Sequence, residues 1–381
     1  MDFTEKLQQE LDALQTKGNL RRLPTLEHDG RYVIVNGQRM LNLSSNDYLG
    51  LASDIDLRRE FLETLTPETF LPTSSSSRLL TGNYHIYDEL EAELASRFGK
   101  EAALVFNCGY HANTGILPAV ADADTLILAD KLIHASLIDG LKLGKTRYLR
   151  YRHNDLNHLE RLLKEYGSAY QHIIIVTESI FSMDGDKAPL RQLVALKQRY
   201  PNVMLYVDEA HAFGLRGASG LGCAEEEGCI ADIDFLMGTF GKAAASSGAY
   251  LVCSRTVREY LVNHMRPFIF TTAQPPVCVA WTLFIVRRLA AMNDRRQHLD
   301  HLGKLLRKRL VDGGYKTSGT SQIVPMIVGE SADTVLRAEA LQRHGFYALP
   351  VRPPTVPEGT SRIRFSLTAA LTEEEVCSIP L

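Results

Sequence analysis

The chain has 381 residues, 45% of them hydrophobic, enough for a large core and, because single cores stop growing near about 250–300 residues, for one large and one smaller domain. A formal net charge of −3 with scattered basic residues provides no electropositive footprint for nucleic acid. The longest apolar run, Val277 to Val286, falls well short of the roughly 20 residues of a bilayer span, and Met1 to Glu5 has neither the basic start nor the apolar stretch of an export signal, so nucleic acid and membrane are not expected partners and the cytoplasm is the expected location.

Phe3, Leu7, Leu11 and Leu14 recur at helical spacing before Lys17-Gly18, which predicts an amphipathic N-terminal helix leading into Leu20 to Pro24. Two strand-like runs between Arg31 and Leu43 flank Asn36-Gly37, the pair most suited to a two-residue hairpin turn. A polar loop from Ser44 to Leu51 and a small-residue loop from Thr73 to Asn83 lead to an amphipathic helix, Tyr87 to Phe98. Short β-rich runs then alternate with helices, at 102–106, 125–129, 146–151, 172–177, 203–207 and 235–238, a rhythm that predicts an α/β fold with a mainly parallel central sheet. From Pro276 a helical run to about Gly313 precedes strands near 323–328 and 363–367 and a helix from Ser331 to Gly345, the pattern of a smaller α+β domain. The expected division is an N-terminal arm and hairpin over 1–50, a large domain over 51–275 and a small domain over 276–381.

The apolar run Ile233 to Met237 ends in a turn of small residues that presents one lysine, Lys242. Small neighbours let a planar partner approach the backbone, and the hydroxyls of Thr239, Ser246 and Ser247 suit an anionic group. An amine presented this way suits a phosphorylated aldehyde, pyridoxal phosphate, unless it is an ordinary surface lysine. Near Val105 to Thr114 a strand runs through Gly109 into a helix start, whose free N–H groups and positive dipole end can hold a phosphate lined by Cys108, Gly109 and Tyr110. A plain strand-to-helix turn would read the same way. His134 is either a ring lying flat against an aromatic cofactor or a hydrogen-bonded core histidine. Ser182 follows a buried strand, at the carboxyl end where α/β proteins bind ligands. Asp208 closes another apolar strand, with His211 three residues on. A carboxylate there can keep a pyridine nitrogen protonated, although a helix cap or a metal-binding Asp-Glu pair would look similar, and no GxxxxGK[ST] motif accompanies it. The six cysteines form no CxxC pair, so neither a disulfide nor a metal site is expected.

The segments Ser44 to Leu51, Ala129 to Ser136, Thr177 to Asp186, Val207 to His211, Gly214 to Gly222 and Thr239 to Lys242 stand in the order found in the α-oxoamine synthases, pyridoxal-phosphate enzymes of fold type I. The chain resembles that family from its N-terminal arm to about residue 372. The resemblance implies a fold type I transferase that joins an amino acid to an acyl thioester with loss of CO2. It implies that Lys242 carries the cofactor covalently, that Asp208 meets the pyridine nitrogen and His211 the ring oxygen, that His134 stacks on the ring, and that Ser182 lines its edge. Gly109, Tyr110 and Thr239 would hold the phosphate, with Thr271 or Thr272 supplied by the neighbouring subunit of a homodimer with composite sites. Arg364 would grip the amino-acid carboxylate, Arg21 and Asn46 would stand at the substrate entrance, and Thr355 would contact substrate. His153 to Asp155 and the run Val351 to Arg364 further imply L-alanine and a pimeloyl thioester, carried on coenzyme A or on acyl carrier protein. Glycine with an acetyl thioester and serine with a long acyl chain are the alternative pairs. Three features depart from the family: Thr73 to Ser77 replaces a glycine-rich loop, Ala243, Ala244 and Ala245 replace glycines, and the sequence stops at Leu381 where relatives usually continue, which suggests a trimmed or differently closed small domain.

Overall fold

Asn36 and Gly37 have φ of 51° and 79°, the paired left-handed values that a two-residue turn between right-twisting strands needs. In the computed structural model, which describes residues 2–381, this turn joins β2 (Tyr32–Val35) to β3 (Gln38–Asn42), and β1 (Glu27–Asp29) pairs with the other edge of β2. The predicted N-terminal helix forms over Phe3–Thr16 behind a capping box of Asp2 and Glu5, and none of its residues is buried.

Seven strands follow: β4 (Ala102–Phe106), β5 (Thr125–Asp130), β6 (Arg147–Tyr151), β7 (His172–Glu178), β8 (Val203–Asp208), β9 (Phe235–Thr239) and β10 (Ala249–Cys253). They form one sheet in the order β4-β10-β9-β8-β7-β5-β6. β7 and β5 are continuous apolar runs rather than alternating ones, because helices cover both faces of a parallel sheet. On one side Ile116, Leu137, Ile174 and Phe235 belong to a single buried cluster that ties the helices Gly109–Val120 and Ala135–Leu143 to the strands. The parallel sheet read from the sequence is present, with one addition. β10 runs antiparallel to both β4 and β9. Its apolar run marks a strand but not a direction. Direction follows from the connection, because residues 240–248 are too few for the crossover of about a dozen residues that a parallel neighbour requires. The register aligns Glu178 with Asp208 and Asp208 with Met237, so the carboxyl ends of β7, β8 and β9 reach one edge of the sheet.

The last strands are β11 (Ile323–Gly329), β12 (Phe346–Tyr347), β13 (Pro350–Val351) and β14 (Ser361–Ser366). β11, β14 and β13 make a small antiparallel sheet, while β12 pairs parallel with β3 and so extends the N-terminal hairpin. Arg362 and Ser366 on β14 are buried, Arg362 by an ion pair of 2.6 Å with Asp184, so the polar face of this strand is not a solvated one. The chain divides into a terminal unit, comprising residues up to Ser53, Met183–Gly185 and His298–Leu381, and a central unit of Asp54–Ser182 and Asp186–Gln297. The hairpin groups with the C-terminal third because β12 pairs with β3. The helical run after Pro276 breaks at Leu289–Ala291, and its first part, Pro276–Arg288, groups with the central unit because Trp281 and Phe284 pack on Phe61 at centroid distances of 5.1 and 5.4 Å.

Candidate active site

β9 ends at Thr239, and the turn that follows holds Lys242 at its tip. Its shape is fixed from inside and outside. Phe240 N donates to Gly248 O at 2.9 Å and Ser246 N to Phe240 O at 3.0 Å, while the Trp281 indole N–H donates to Ala245 O at 2.9 Å and the hydroxyls of Ser246 and Thr282 meet at 2.7 Å. Ala245 takes φ of 45°, where glycine is the easier residue. From this braced turn Lys242 Nζ lies 3.0 Å from His211 Nε2.

Asp208, 4% exposed at the end of β8, accepts the Ala210 N–H at one carboxylate oxygen and the Asn113 amide at the other, each at 2.8 Å. The same amide nitrogen donates to Ser136 Oγ at 2.9 Å, and the Asn113 carbonyl accepts the Tyr206 hydroxyl at 2.6 Å. Ser136 Oγ in turn lies 2.8 Å from His134 Nδ1, which also accepts the Ser136 N–H at 3.2 Å. His134 is exposed. The protein around it lowers its pKa, Asp208 opposes that shift and Lys242 adds to it. Beside Asp208, Glu178 is 2% exposed, and its Oε1 has no hydrogen-bond partner among the described residues. Burial first and the Asp208 carboxylate second push it well above the ordinary carboxylate range.

At the end of β4, Gly109 opens the helix Gly109–Val120, with the Cys108 sulfur accepting the His111 N–H at 3.4 Å. A side chain at Gly109 would sit 3.3 Å from Met237 and 3.7 Å from Thr239, so Gly109 and Thr239 are neighbours. Thr239 Oγ1 donates to Gly248 O at 2.8 Å. Tyr110 is half exposed and donates to Asp139 at 2.7 Å. Asn107 donates to the Thr271 hydroxyl at 3.2 Å and to the Thr272 carbonyl at 2.6 Å, and Thr272 is exposed. Ser182 is half buried on the loop after β7. On the same loop, Asp186 meets His153 Nε2 at 2.8 Å, while Asp130 meets Nδ1 at 2.9 Å.

The central unit therefore contains Lys242, His211, Asp208, His134, Ser182, Cys108, Gly109, Tyr110, Thr239, Thr271 and Thr272. Arg21, Asn46, Thr355 and Arg364 belong to the terminal unit. There the Arg364 guanidinium lies 3.4 Å from Asn46 Oδ1 and 3.3 Å from the Tyr48 hydroxyl, whereas Arg21 and Thr355 are exposed. Asn113, Ser136, Tyr206 and Glu178 escape a reading of the sequence. Asn113 alone leaves a trace, as an amide beside the apolar Ala112, Ile116 and Leu117, four residues after Gly109 and hence on the same helix face. Among the described residues no group of His, Cys, Asp or Glu is arranged to hold a metal ion, and no single helix is long and apolar enough to cross a membrane.

The features match what pyridoxal phosphate needs: a primary amine on a braced turn, a carboxylate held by two donors at a strand end, an exposed imidazole, and a helix start without a side chain. The family described as aminotransferase class I and II matches residues 38–378. An 8-amino-7-oxononanoate synthase from Haemophilus ducreyi is 55% identical, covering 98% of this chain and 97% of its own length. A Glaesserella parasuis relative, 56% identical over 99% of this chain and 98% of its own, bears the same name in provisional form. Among solved structures, a serine palmitoyltransferase from S. paucimobilis with PLP-myriocin bound superposes with a TM-score of 0.91 at 29% identity, covering 100% of this chain and 96% of that one. An 8-amino-7-oxononanoate synthase from Francisella tularensis superposes with a TM-score of 0.76 at 25% identity, covering 89% and 95%.

Proposed function

The chain belongs to the aminotransferase class I and II family and is a pyridoxal-phosphate enzyme of fold type I, and from that premise we propose that it condenses L-alanine with a pimeloyl thioester to give 8-amino-7-oxononanoate, CO2 and the free thiol, in the biotin pathway of the cytoplasm. The observation that carries the substrate pair is the 55% identity to a full-length relative of that name, against 29% for the serine palmitoyltransferase. The higher TM-score of the latter is a likeness of backbone, and backbone does not choose substrate.

When bound, pyridoxal phosphate supplies an aldehyde that captures an amine and a ring that spreads the charge left at the amino acid's α-carbon. The chain supplies the rest. Lys242 would hold the cofactor through its amine, and the same amine would serve as the base for the substrate's α-proton. His211, 3.0 Å from its amine, stands where it can share that proton. Asp208, held by Asn113 and Ala210, would present a carboxylate to the cofactor's ring nitrogen, and His134 would cover the ring. The N–H groups at Gly109 and Tyr110, with Thr239, take the phosphate. Arg364 holds the amino-acid carboxylate as a charged fork, with Asn46 and Arg21 at the substrate entrance and Thr355 on the substrate. The active form is a homodimer, with Thr272 or Thr271 completing the partner's phosphate site. The acyl group arrives on coenzyme A or on acyl carrier protein.

The test is product mass spectrometry on the purified protein offered alanine, glycine and serine in all pairings with pimeloyl, acetyl and palmitoyl thioesters. The expected product is the alanine–pimeloyl ketone. A dominant glycine–acetyl or serine–palmitoyl product replaces the reading with one of the other two activities of the family.

A further inference from the structure

Asn113 is 2% exposed and makes three hydrogen bonds whose directions chemistry fixes. A carboxylate only accepts, so the atom facing Asp208 is the amide nitrogen, and the carbonyl is then left to accept the Tyr206 hydroxyl. Tyr206 is fully buried, and burial first and Asp208 second push its pKa well above the ordinary phenol value, so it remains a donor. The second amide hydrogen goes to Ser136 Oγ. Having accepted there, the Ser136 hydroxyl has its own hydrogen to give, and His134 Nδ1 lies 2.8 Å away. Nδ1 also receives the Ser136 N–H, so it is the unprotonated nitrogen and the imidazole proton sits on Nε2. One amide thus holds the orientation of Asp208 and, through the Ser136 hydroxyl, reinforces the His134 tautomer that the Ser136 N–H also favours. It does so from the helix whose first residue, Gly109, lies one turn away on the same face.

We propose that Asn113 is a positioning residue that locks the Asp208 carboxylate and the His134 tautomer together, through Tyr206 on one side and Ser136 on the other. The inference rests on the proposed placement of Asp208 against the cofactor's ring nitrogen. Losing Asn113 leaves Asp208 a single donor and frees the Ser136 hydroxyl to rotate. Supporting residues of this kind typically govern about 10- to 100-fold in the function of the groups they orient.

The test uses holoenzyme labelled with 15N in histidine and reconstituted with ring-15N pyridoxal phosphate. Wild type is expected to show a protonated ring nitrogen and a His134 with Nε2–H. Asn113→Leu is expected to shift the ring nitrogen towards its unprotonated position, mix the His134 tautomers and lower kcat about 10- to 100-fold with a smaller change in KM. Ser136→Ala is expected to disturb only His134. Tyr206→Phe removes the donor that holds the amide carbonyl and so loosens the amide, and is expected to move both signals in the same direction by less, so it keeps the proposal testable if Asn113→Leu fails to fold. A space-filling role for Asn113 predicts a lower melting temperature with neither nitrogen signal moved, and that result overturns the proposal. Asp208→Asn separates the two readings. If it shifts the ring nitrogen while Asn113→Leu and Tyr206→Phe do not, Asn113 falls alone. If Asp208→Asn shifts nothing, the placement of Asp208 falls, and the Asn113 proposal falls with it.

Discussion

His153 lies between Asp130 and Asp186, at 2.9 and 2.8 Å, with its ring edge-on to Phe181 at 4.4 Å. Burial alone would depress its pKa, but the two carboxylates outweigh burial and push it up to about 10. The ordinary value is roughly 6.5, so the folded protein binds this proton more tightly than the unfolded chain does. The stabilisation is therefore complete below pH about 6.5 and is lost as pH rises towards about 10. Denaturant titrations across that window are expected to show wild type losing on the order of a few kcal/mol more than His153→Gln. Parallel pH curves for the two proteins would show that the imidazolium contributes nothing. The resemblance drew attention to His153 to Asp155 without saying what the histidine does, because its partners come from elsewhere in the chain, Asp130 from the end of β5 and Asp186 from the loop after β7. Lys242, Asp208 and His211 were legible for the opposite reason. Each follows an apolar run, and in an α/β sheet such runs end at the ligand edge. Asn113, Ser136 and Tyr206 act through packing across the sheet, which no local pattern in the sequence encodes.

At the scale of elements, the antiparallel addition of β10 puts Tyr250 directly opposite Gly238 on β9. A Cβ at Gly238 would lie 2.5 Å from the Tyr250 hydroxyl oxygen and 2.6 Å from the ring carbon that bears it. Tyr250 is fully buried and cannot swing aside, and its hydroxyl has no hydrogen-bond partner among the described residues. Gly238→Ala is expected to cost about 1–3 kcal/mol through overpacking. Tyr250→Phe removes an unpaired buried polar group and is expected to be neutral or to stabilise by up to about 1 kcal/mol. In the double variant the clash is partly relieved, so the costs should not add. Urea midpoints of the four proteins measure the coupling, and strict additivity would mean that the hydroxyl and the new methyl never meet. The strands β4 to β9 were legible within a residue or two because short runs rich in apolar and aromatic residues, bounded by turns, alternate with helices. The direction of β10, and with it the Gly238–Tyr250 contact, depended on the length of the lysine turn.

On the scale of the whole chain, a reading in order expects contiguous domains, whereas the hairpin is tied to the far end by the pairing of Leu41 with Phe346 and Asn42 with Tyr347. Pairing over such a separation leaves no local mark in the sequence, while the family resemblance, which is borne out by the full-length relatives, carries the fold without revealing it. The proposed dimer depends on long-range placement of the same kind. Asn107 engages the Thr271 hydroxyl and the Thr272 carbonyl within one chain, which leaves the exposed Thr272 side chain as the group directed outward. That favours Thr272 as the residue given to a partner's phosphate site. Complementation separates giving from keeping. Lys242→Ala loses the amine, and Thr271→Val/Thr272→Val loses the hydroxyls, so each variant alone should be impaired at limiting pyridoxal phosphate. If the threonine is given across the interface, a hybrid dimer of the two contains one site with every residue intact. Random pairing makes about half the dimers hybrids, so co-expression should restore about a quarter of wild-type activity per site. If the threonine stays in its own chain, every site in the hybrid lacks one of the two groups. Activity no higher than the average of the separate variants would then mean that each subunit builds its phosphate site alone.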